Sequence, residues 1–411
     1  MPPKAIGPRR AMGIELILFL AYCSFSASWL VGSILTTDMA AEFGVYTVPS
    51  SVNNAISAAK ILGNFVAAWI LVKLGPKRTV ALSCLLTCAV VMGALATSFP
   101  LFIISRFLLG FGGAVLMICM TPYVVYCFEP RRHPIFIGLN NAGPNTGNLI
   151  ALLSVTAVRC WLGSWRTVIL FYGLFSVILL VLWLIVGRGY PVAAAPKDAA
   201  PMERTRLYRY RDALREPFLY QFLFTMTGRL VLYTVMLYLF PLNPGFTVDS
   251  QFISLMIALT GVPGTIIGIV VARKLKRQIQ LFRFSGVAQS ALFFLMILTD
   301  SATVATVAAI ALGFVVFIST PSLFTLPARL PGAGPQKVAV ILTLYWTGAY
   351  TLQMIVYAFV VHLVNASGWH TAMLFTAFYS LTFLIGTFLL PDFDRPQGRK
   401  DENEEDGQSP S

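Results

Sequence analysis

Charge is scarce in this chain. Of its 411 residues only 11% are Asp, Glu, Lys or Arg, against about 25% in a soluble globular domain, while 57% are apolar and the mean hydropathy is +0.76. A soluble globular protein is excluded on that balance, and so is a disordered chain, which needs a polar excess. The 24 Pro and 31 Gly are scattered through apolar sequence rather than gathered in a tract, which excludes collagen-like and low-complexity architectures. Histidine is down to three residues, His133, His362 and His370. The six cysteines, Cys23, Cys84, Cys88, Cys119, Cys127 and Cys160, fall inside apolar stretches without metal-type spacing to a His. They read as small core residues rather than disulfides or zinc ligands. No Gly-x-x-x-x-Gly-Lys-Ser/Thr segment occurs, so ATP-driven pumping by this chain is not expected, and no cofactor or metal is implied. The clustered acid, base or nucleophile groups that a membrane enzyme needs near one face are missing too.

What is present is a series of long apolar runs. A helix needs roughly 20 such residues to cross the hydrocarbon. Twelve candidates follow, at about 13 to 35, 49 to 71, 79 to 98, 100 to 128, 135 to 158, 166 to 187, 217 to 240, 250 to 272, 281 to 299, 302 to 326, 338 to 363 and 370 to 390. The first apolar stretch, behind a short basic segment, is too long for the core of a signal peptide. The chain is expected to be an all-α polytopic membrane protein with the lipid bilayer around it.

The formal net charge of +13 would suggest nucleic acid in a soluble chain; here its distribution points to topology instead, and no nucleic-acid partner is expected. With both termini inside, twenty-five of the thirty Lys and Arg fall in cytoplasmic segments and two, Arg159 and Arg166, fall outside. The short termini suit a bacterial inner membrane. The stretch 188 to 216, with Pro191, Pro196, Pro201 and seven basic residues, reads as a cytoplasmic linker between a bundle at 1–187 and another at 217–391. Residues 392–411, with the run Asp401 to Asp406, read as a solvated acidic tail.

The two halves also match one another. Gly163-Ser164-Trp165-Arg166-Thr167 answers Ser367-Gly368-Trp369-His370-Thr371, Thr121-Pro122 answers Thr320-Pro321, and Thr146-Gly147 answers Thr347-Gly348, at a shift near 200. Duplication of a six-helix unit keeps both copies in one orientation, related by an axis along the membrane normal. A substrate site is expected at the seam, near the midplane.

Several segments resemble signatures of the major facilitator superfamily. Ala68 to Arg78 (AWILVKLGPKR) is similar to its loop between spans two and three, with Lys73, Gly75, Lys77 and Arg78 matching and Val72 where the family has Asp. The repeat, Gly268 to Arg277 (GIVVARKLKR), keeps Arg273 and Arg277 with Ala272 at the acidic position. Arg106 with Gly110 and Gly112 resembles the span-four signature, and Gly143-Pro144 with Gly147 the span-five element prominent in exchangers and drug antiporters. The resemblance implies twelve transmembrane helices in two pseudo-symmetric six-helix bundles, an alternating-access transporter, and gating or structural roles for these residues. Without the two acidic residues, gating is expected to rest on contacts other than the family's Asp-centred ion pairs. The glycines and proline equally suit plain packing, letting helices approach closely or bend.

Three basic residues remain inside spans: Lys60, Arg106 and Arg229. At 1.5 Å per residue Lys60 and Arg229 lie about 16 to 18 Å deep, where a cation costs about 2.5 to 3.5 kcal/mol. No Asp or Glu is expected at that depth, and Glu15 is placed at the cytoplasmic edge of the first span. One cation comes from each half, so a mobile anion is the expected partner; the bland alternative is that each bonds carbonyls at a helix break. Arg106 either contacts substrate or braces neighbouring helices. Asn141, Asn145 and Asn148 share a helical face, to bind substrate or to tie helices together. Tyr345, Tyr350 and Gln353 form a second such face, with packing the alternative reading. The function expected is secondary or facilitative transport of a small anionic solute by a functional monomer, with efflux of amphipathic drugs or metabolites as the alternative.

Overall fold

The computed structural model describes residues 7–190, 210–275, 277–331 and 335–391. The acidic tail and the greater part of the linker lie outside these residues. All regular structure among the described residues is helical, and twelve long helices follow one another: α1 Pro8–Ile34, α2 Ser51–Leu74, α3 Pro76–Ala94, α4 Phe99–Cys127, α5 His133–Leu162, α6 Trp165–Val186, α7 Pro217–Tyr238, α8 Ser250–Lys274, α9 Gln278–Leu298, α10 Ala302–Ile318, α11 Pro335–Ser367 and α12 Trp369–Leu389. Ten of them are long and apolar enough to cross a membrane; α2 and α5 are long helices outside that set.

Local sequence explains where these helices begin and end. Pro occupies one of the first two positions of α1, α3, α4, α5 and α7, where its missing N–H has no partner to lose. The side chains of Ser164, Asp249 and Ser301 accept backbone N–H bonds at the starts of α6, α8 and α10. Gly163 and Gly368, between α5 and α6 and between α11 and α12, share a left-handed φ of 75° and 87°. Only glycine adopts that region without steric cost, but the two turns differ: Gly163 closes α5 with ψ −40°, whereas Gly368 precedes α12 with ψ 171°.

Helices α1 to α6 pack chiefly on one another, as do α7 to α12, and the two groups meet along α2 against α11 and α5 against α8. Glycine sets several of these distances. A Cβ on Gly110 would stand 2.8 Å from the backbone of Ile56, so α4 and α2 touch main chain to main chain; Gly147 on α5 meets the carbonyl of Cys23 on α1 in the same way. Pro144 is built into α5, and its carbonyl accepts a 2.9 Å hydrogen bond from Ser26 on α1. Gly112 is pressed against Ser83, and a Cβ on Gly143 would stand 3.2 Å from Tyr22, a tight approach but one to a side chain rather than to backbone.

Let the near end be the one with the first and last described residues, Gly7 and Pro391. At the far end, loops are clamped by Asp38 to Arg159 (2.7 Å) and Glu42 to Arg166 (2.7 Å), with Trp165 also donating to Glu42. Arg166, and then Trp165, hold the Glu42 carboxyl below the usual carboxylate range. A depressed folded-state value means the clamp stabilises above the ordinary carboxylate range, near pH 4.3, and its contribution fades as pH falls through the lowered value. Glu42→Gln is therefore expected to lose less melting temperature than the parent on acidification below about pH 5; equal losses would contradict this reading. Gly110→Val is expected to lower stability by about 1 to 3 kcal/mol, seen as a lower melting temperature in detergent, because Ile56 backbone has nowhere to go.

Candidate functional site

Arg106 is 2% exposed and is held by backbone. Its guanidinium donates to the carbonyls of Ser28 (2.9 Å), Trp29 (2.6 Å) and Val52 (3.4 Å) and to Ser33 Oγ. It joins α4 to α1 and α2, and a Cβ on Gly32 would collide with it. The bracing alternative describes this arrangement.

Arg229, 4% exposed on α7, differs from its expectation. It does not stand without resident partners: the guanidinium donates to Gln289 Oε1 (3.2 Å), Ser285 Oγ (2.9 Å), Ser319 Oγ (2.7 Å) and Thr320 Oγ1 (3.3 Å), and it stacks 3.8 Å from the Phe383 ring centre. Ser319 and Thr320 lie at the break that ends α10. The acceptors are hydroxyls and a side-chain amide rather than backbone carbonyls, drawn from α9 and this break, and they satisfy the guanidinium donors inside the second bundle.

Lys60 is the exception. It is 5% exposed on α2, nine residues from the far end of the helix, and its ammonium makes no hydrogen bond or ion pair among the described residues. It lies 4.5 Å from the Tyr350 ring centre, 4.8 Å from Trp29 and 5.8 Å from Phe25. Each such ring contributes about 0.5 to 2 kcal/mol, enough to offset much of the burial of the charge but supplying no lone pair to its three N–H donors. Trp29 and Phe25 belong to α1; Tyr350 comes from α11 across the seam.

Asn53 and Ser57 lie on the same face of α2 as Lys60, at i, i+4 and i+7, and are 1% and 0% exposed. Ser57 donates to Gln353 Oε1 across the seam (3.3 Å), and Trp29 Nε1 donates to Asn53 Oδ1 (2.9 Å). The outward N–H groups of Asn53 Nδ2 and Gln353 Nε2 have no acceptor. Sequence reading missed Asn53 and Ser57, although their helical spacing to Lys60 was there to find.

Of the expected asparagine face, two members tie the halves together. Asn145 accepts from Tyr233 (2.9 Å), and Asn148 meets both Tyr238 (3.4 Å) and Ser26 (2.8 Å). Asn141, a turn nearer the termini, is exposed and makes no such tie. Further ties lie at the far end: Asn54 to the Met354 carbonyl, Asn365 to both backbone groups of Val48, and Thr156 to Gln251. The seam is thus closed from the midplane outward. Tyr345, 1% exposed, packs within the second bundle on Phe222 (4.8 Å) and Phe324 (6.0 Å), as the packing alternative describes, while Tyr350 and Gln353 face the seam.

At the near end Lys73, Lys77 and Arg78 are exposed and make no ion pair among the described residues. Lys73 lies over Trp69 (4.7 Å), Gly75 turns the chain at φ 75°, and the Lys77 carbonyl receives Trp183 Nε1. Arg277 is exposed at the start of α9, and the Arg273 side chain lies outside the described residues. Glu15 lies near the start of α1, as expected, but is 2% exposed, with its carboxylate beside the Asn140 amide on α5.

The profile of the Major Facilitator Superfamily matches residues 17–352. The chain belongs to that superfamily. Solved members share its fold: a bacterial homolog of the human lysosomal transporter Spinster, inward-facing and unoccupied, superposes with a TM-score of 0.66 at 15% identity over 95% of this chain and 99% of that one. A D-xylose-proton symporter gives 0.65 at 13% identity over 93% and 98%. An uncharacterized protein of Campylobacter jejuni is 29% identical over 180 residues, 44% of this superfamily member and 56% of that relative, so the match spans just over half the relative's length. Fold and family together make this a multi-pass membrane protein of transporter type.

Arg106→Lys is expected to lower stability by about 2 kcal/mol, because one ammonium cannot reach carbonyls on two helices as a planar fork does. A melting temperature equal to the parent's would remove the bracing role.

Proposed function

We propose that this chain is a secondary or facilitative carrier of a small anionic solute, working by alternating access. In this reading residues 1–187 and 217–391 form two six-helix bundles joined by a cytoplasmic linker at 188–216. All twelve long helices cross a bacterial inner membrane with both termini inside, and the functional unit is the monomer. The excess of Lys and Arg in the near-end loops supports that orientation.

The observation that carries the anionic substrate is Lys60: a fixed cation at half depth, on the seam, with rings around it and no acceptor for its N–H groups. Of the three deep cations it alone lacks acceptors, so the site centres on Lys60, Tyr350 and Gln353. Arg229 and Arg106 keep the bundles in shape. Solute binding between α2 and α11 would engage both halves, which is what coupling of binding to their relative movement requires. Efflux of amphipathic drugs or metabolites is the second reading, favoured by the Gly143-Pro144 and Gly147 element in α5; a cationic centre repels the cationic members of that group.

Purified protein in proteoliposomes, offered labelled phosphate, sulfate, lactate, succinate and citrate beside a cationic dye and a neutral sugar, tests the assignment. Saturable uptake of at least one anion is expected, with Lys60→Ala lowering it at least about tenfold, the loss of one charge-assisted bond. Full anion uptake by that variant, or transport confined to the cation, would overturn the anionic reading.

A further inference from the structure

The surroundings of Lys60 constrain the guest further than its charge. Resting on the anionic reading above, we infer that the site takes a monocarboxylate carrying a flat apolar body, such as an aromatic or alicyclic carboxylate.

Charge count comes first. One cation lies at the seam with its N–H donors free, whereas Arg229 and Arg106 are held inside the bundles by neutral acceptors that use up their donors. A dianion brought to a single ammonium keeps one charge unpaired in a low-dielectric setting, where that charge costs several kcal/mol. A monoanion is matched.

The donors come second. Within the column Asn53, Ser57 and Lys60, and opposite it at Gln353, the unpaired polar atoms are N–H donors: Asn53 Nδ2 and Gln353 Nε2, besides the ammonium. Residues 1%, 1% and 5% exposed carry them. The Oδ1 of Asn54 is also unpaired, but the next residue along a helix points about 100° away, and Asn54 bonds the Met354 carbonyl. Three buried donors without acceptors suit a carboxylate, whose two oxygens offer four lone-pair sites. One oxygen on Lys60 and the other on Gln353 Nε2 would span α2 and α11.

The rings come third. Phe25, Trp29 and Tyr350 surround the ammonium at 4.5 to 5.8 Å, and Tyr22 stacks on Phe25. An anion entering here must shed its water, and these walls return apolar contact rather than hydrogen bonds. Phosphate and sulfate have only polar surface to present. A benzoate-like solute presents one polar edge to the donors and a ring to the rings, and such aromatic pairs add about 0.5 to 1.5 kcal/mol beyond area burial.

Benzoic acid crosses bilayers in its neutral form, so binding is the readout. Purified protein in detergent at neutral pH is titrated calorimetrically with benzoate, cyclohexanecarboxylate, acetate, succinate and phosphate. Benzoate and cyclohexanecarboxylate are expected to bind at least tenfold tighter than acetate, succinate or phosphate. Gln353→Leu is expected to weaken benzoate about tenfold, and Tyr350→Leu to narrow the gap between benzoate and acetate. Melting curves of both variants establish that they are folded, and a variant that fails to fold is replaced by Asn53→Leu for the donor test. Tighter binding of phosphate or succinate than of benzoate, abolished by Lys60→Ala, would overturn this inference and leave the anionic reading standing. Absence of binding by every anion would overturn both.

Discussion

Hydrocarbon offers no hydrogen bonds, and every polar group carried into it must find its partner in protein. The three deep cations of this chain meet that constraint in three ways. Arg106 spends its planar fork on helix carbonyls and becomes a brace among α1, α2 and α4. Arg229 gathers hydroxyls and an amide from α9 and the break after α10 and becomes the polar centre of the second bundle. Lys60 has rings alone. Guanidinium and ammonium are not interchangeable here: five fixed donors can be satisfied by scattered acceptors, whereas the compact ammonium on the seam keeps its donors without one.

Small residues make the same point from the side of packing. Gly32 admits the Arg106 fork, Gly110 lets α4 lie on α2, and Gly147 lets α5 lie on α1. Without the hydrophobic drive that assembles soluble cores, close approach of backbones is the main source of helix adhesion in lipid. The bundle around α1 is accordingly tight, while the seam between bundles is held by a few polar ties: Asn145 to Tyr233, Asn148 to Tyr238, Ser57 to Gln353, Asn54 to Met354 and Asn365 to Val48.

The helices were legible in the sequence by length and apolarity, but their ends less evenly: α8 begins at Ser250 as read and ends within two residues, whereas α10 ends at Ile318 and not near 326. The repeated segment around Gly163 and Gly368 was legible, although the two glycines turn the chain differently. Partnerships were not. The acceptors around Arg229 lie 56 to 91 residues away along the chain, and no local pattern assigns a serine to a distant arginine. Asn53 and Ser57 look like ordinary polar interruptions until α11 is known to face them. Glu15 looked peripheral because its distance from the helix start was visible and its burial against α5 was not. The asparagine face of α5 was read as one surface, but Asn145 and Asn148 tie the halves together while Asn141 is exposed.

The box around Lys60 is divided unequally between the bundles. Phe25 and Trp29 sit on α1, which Arg106 rivets to the lysine's own helix, so these two walls and the ammonium form one rigid unit. Tyr350, the nearest wall, is fastened to the opposite bundle. Any separation of α2 from α11 slides that single panel aside and bares the ammonium, so the hydration of one fixed charge keeps time with the opening of the seam.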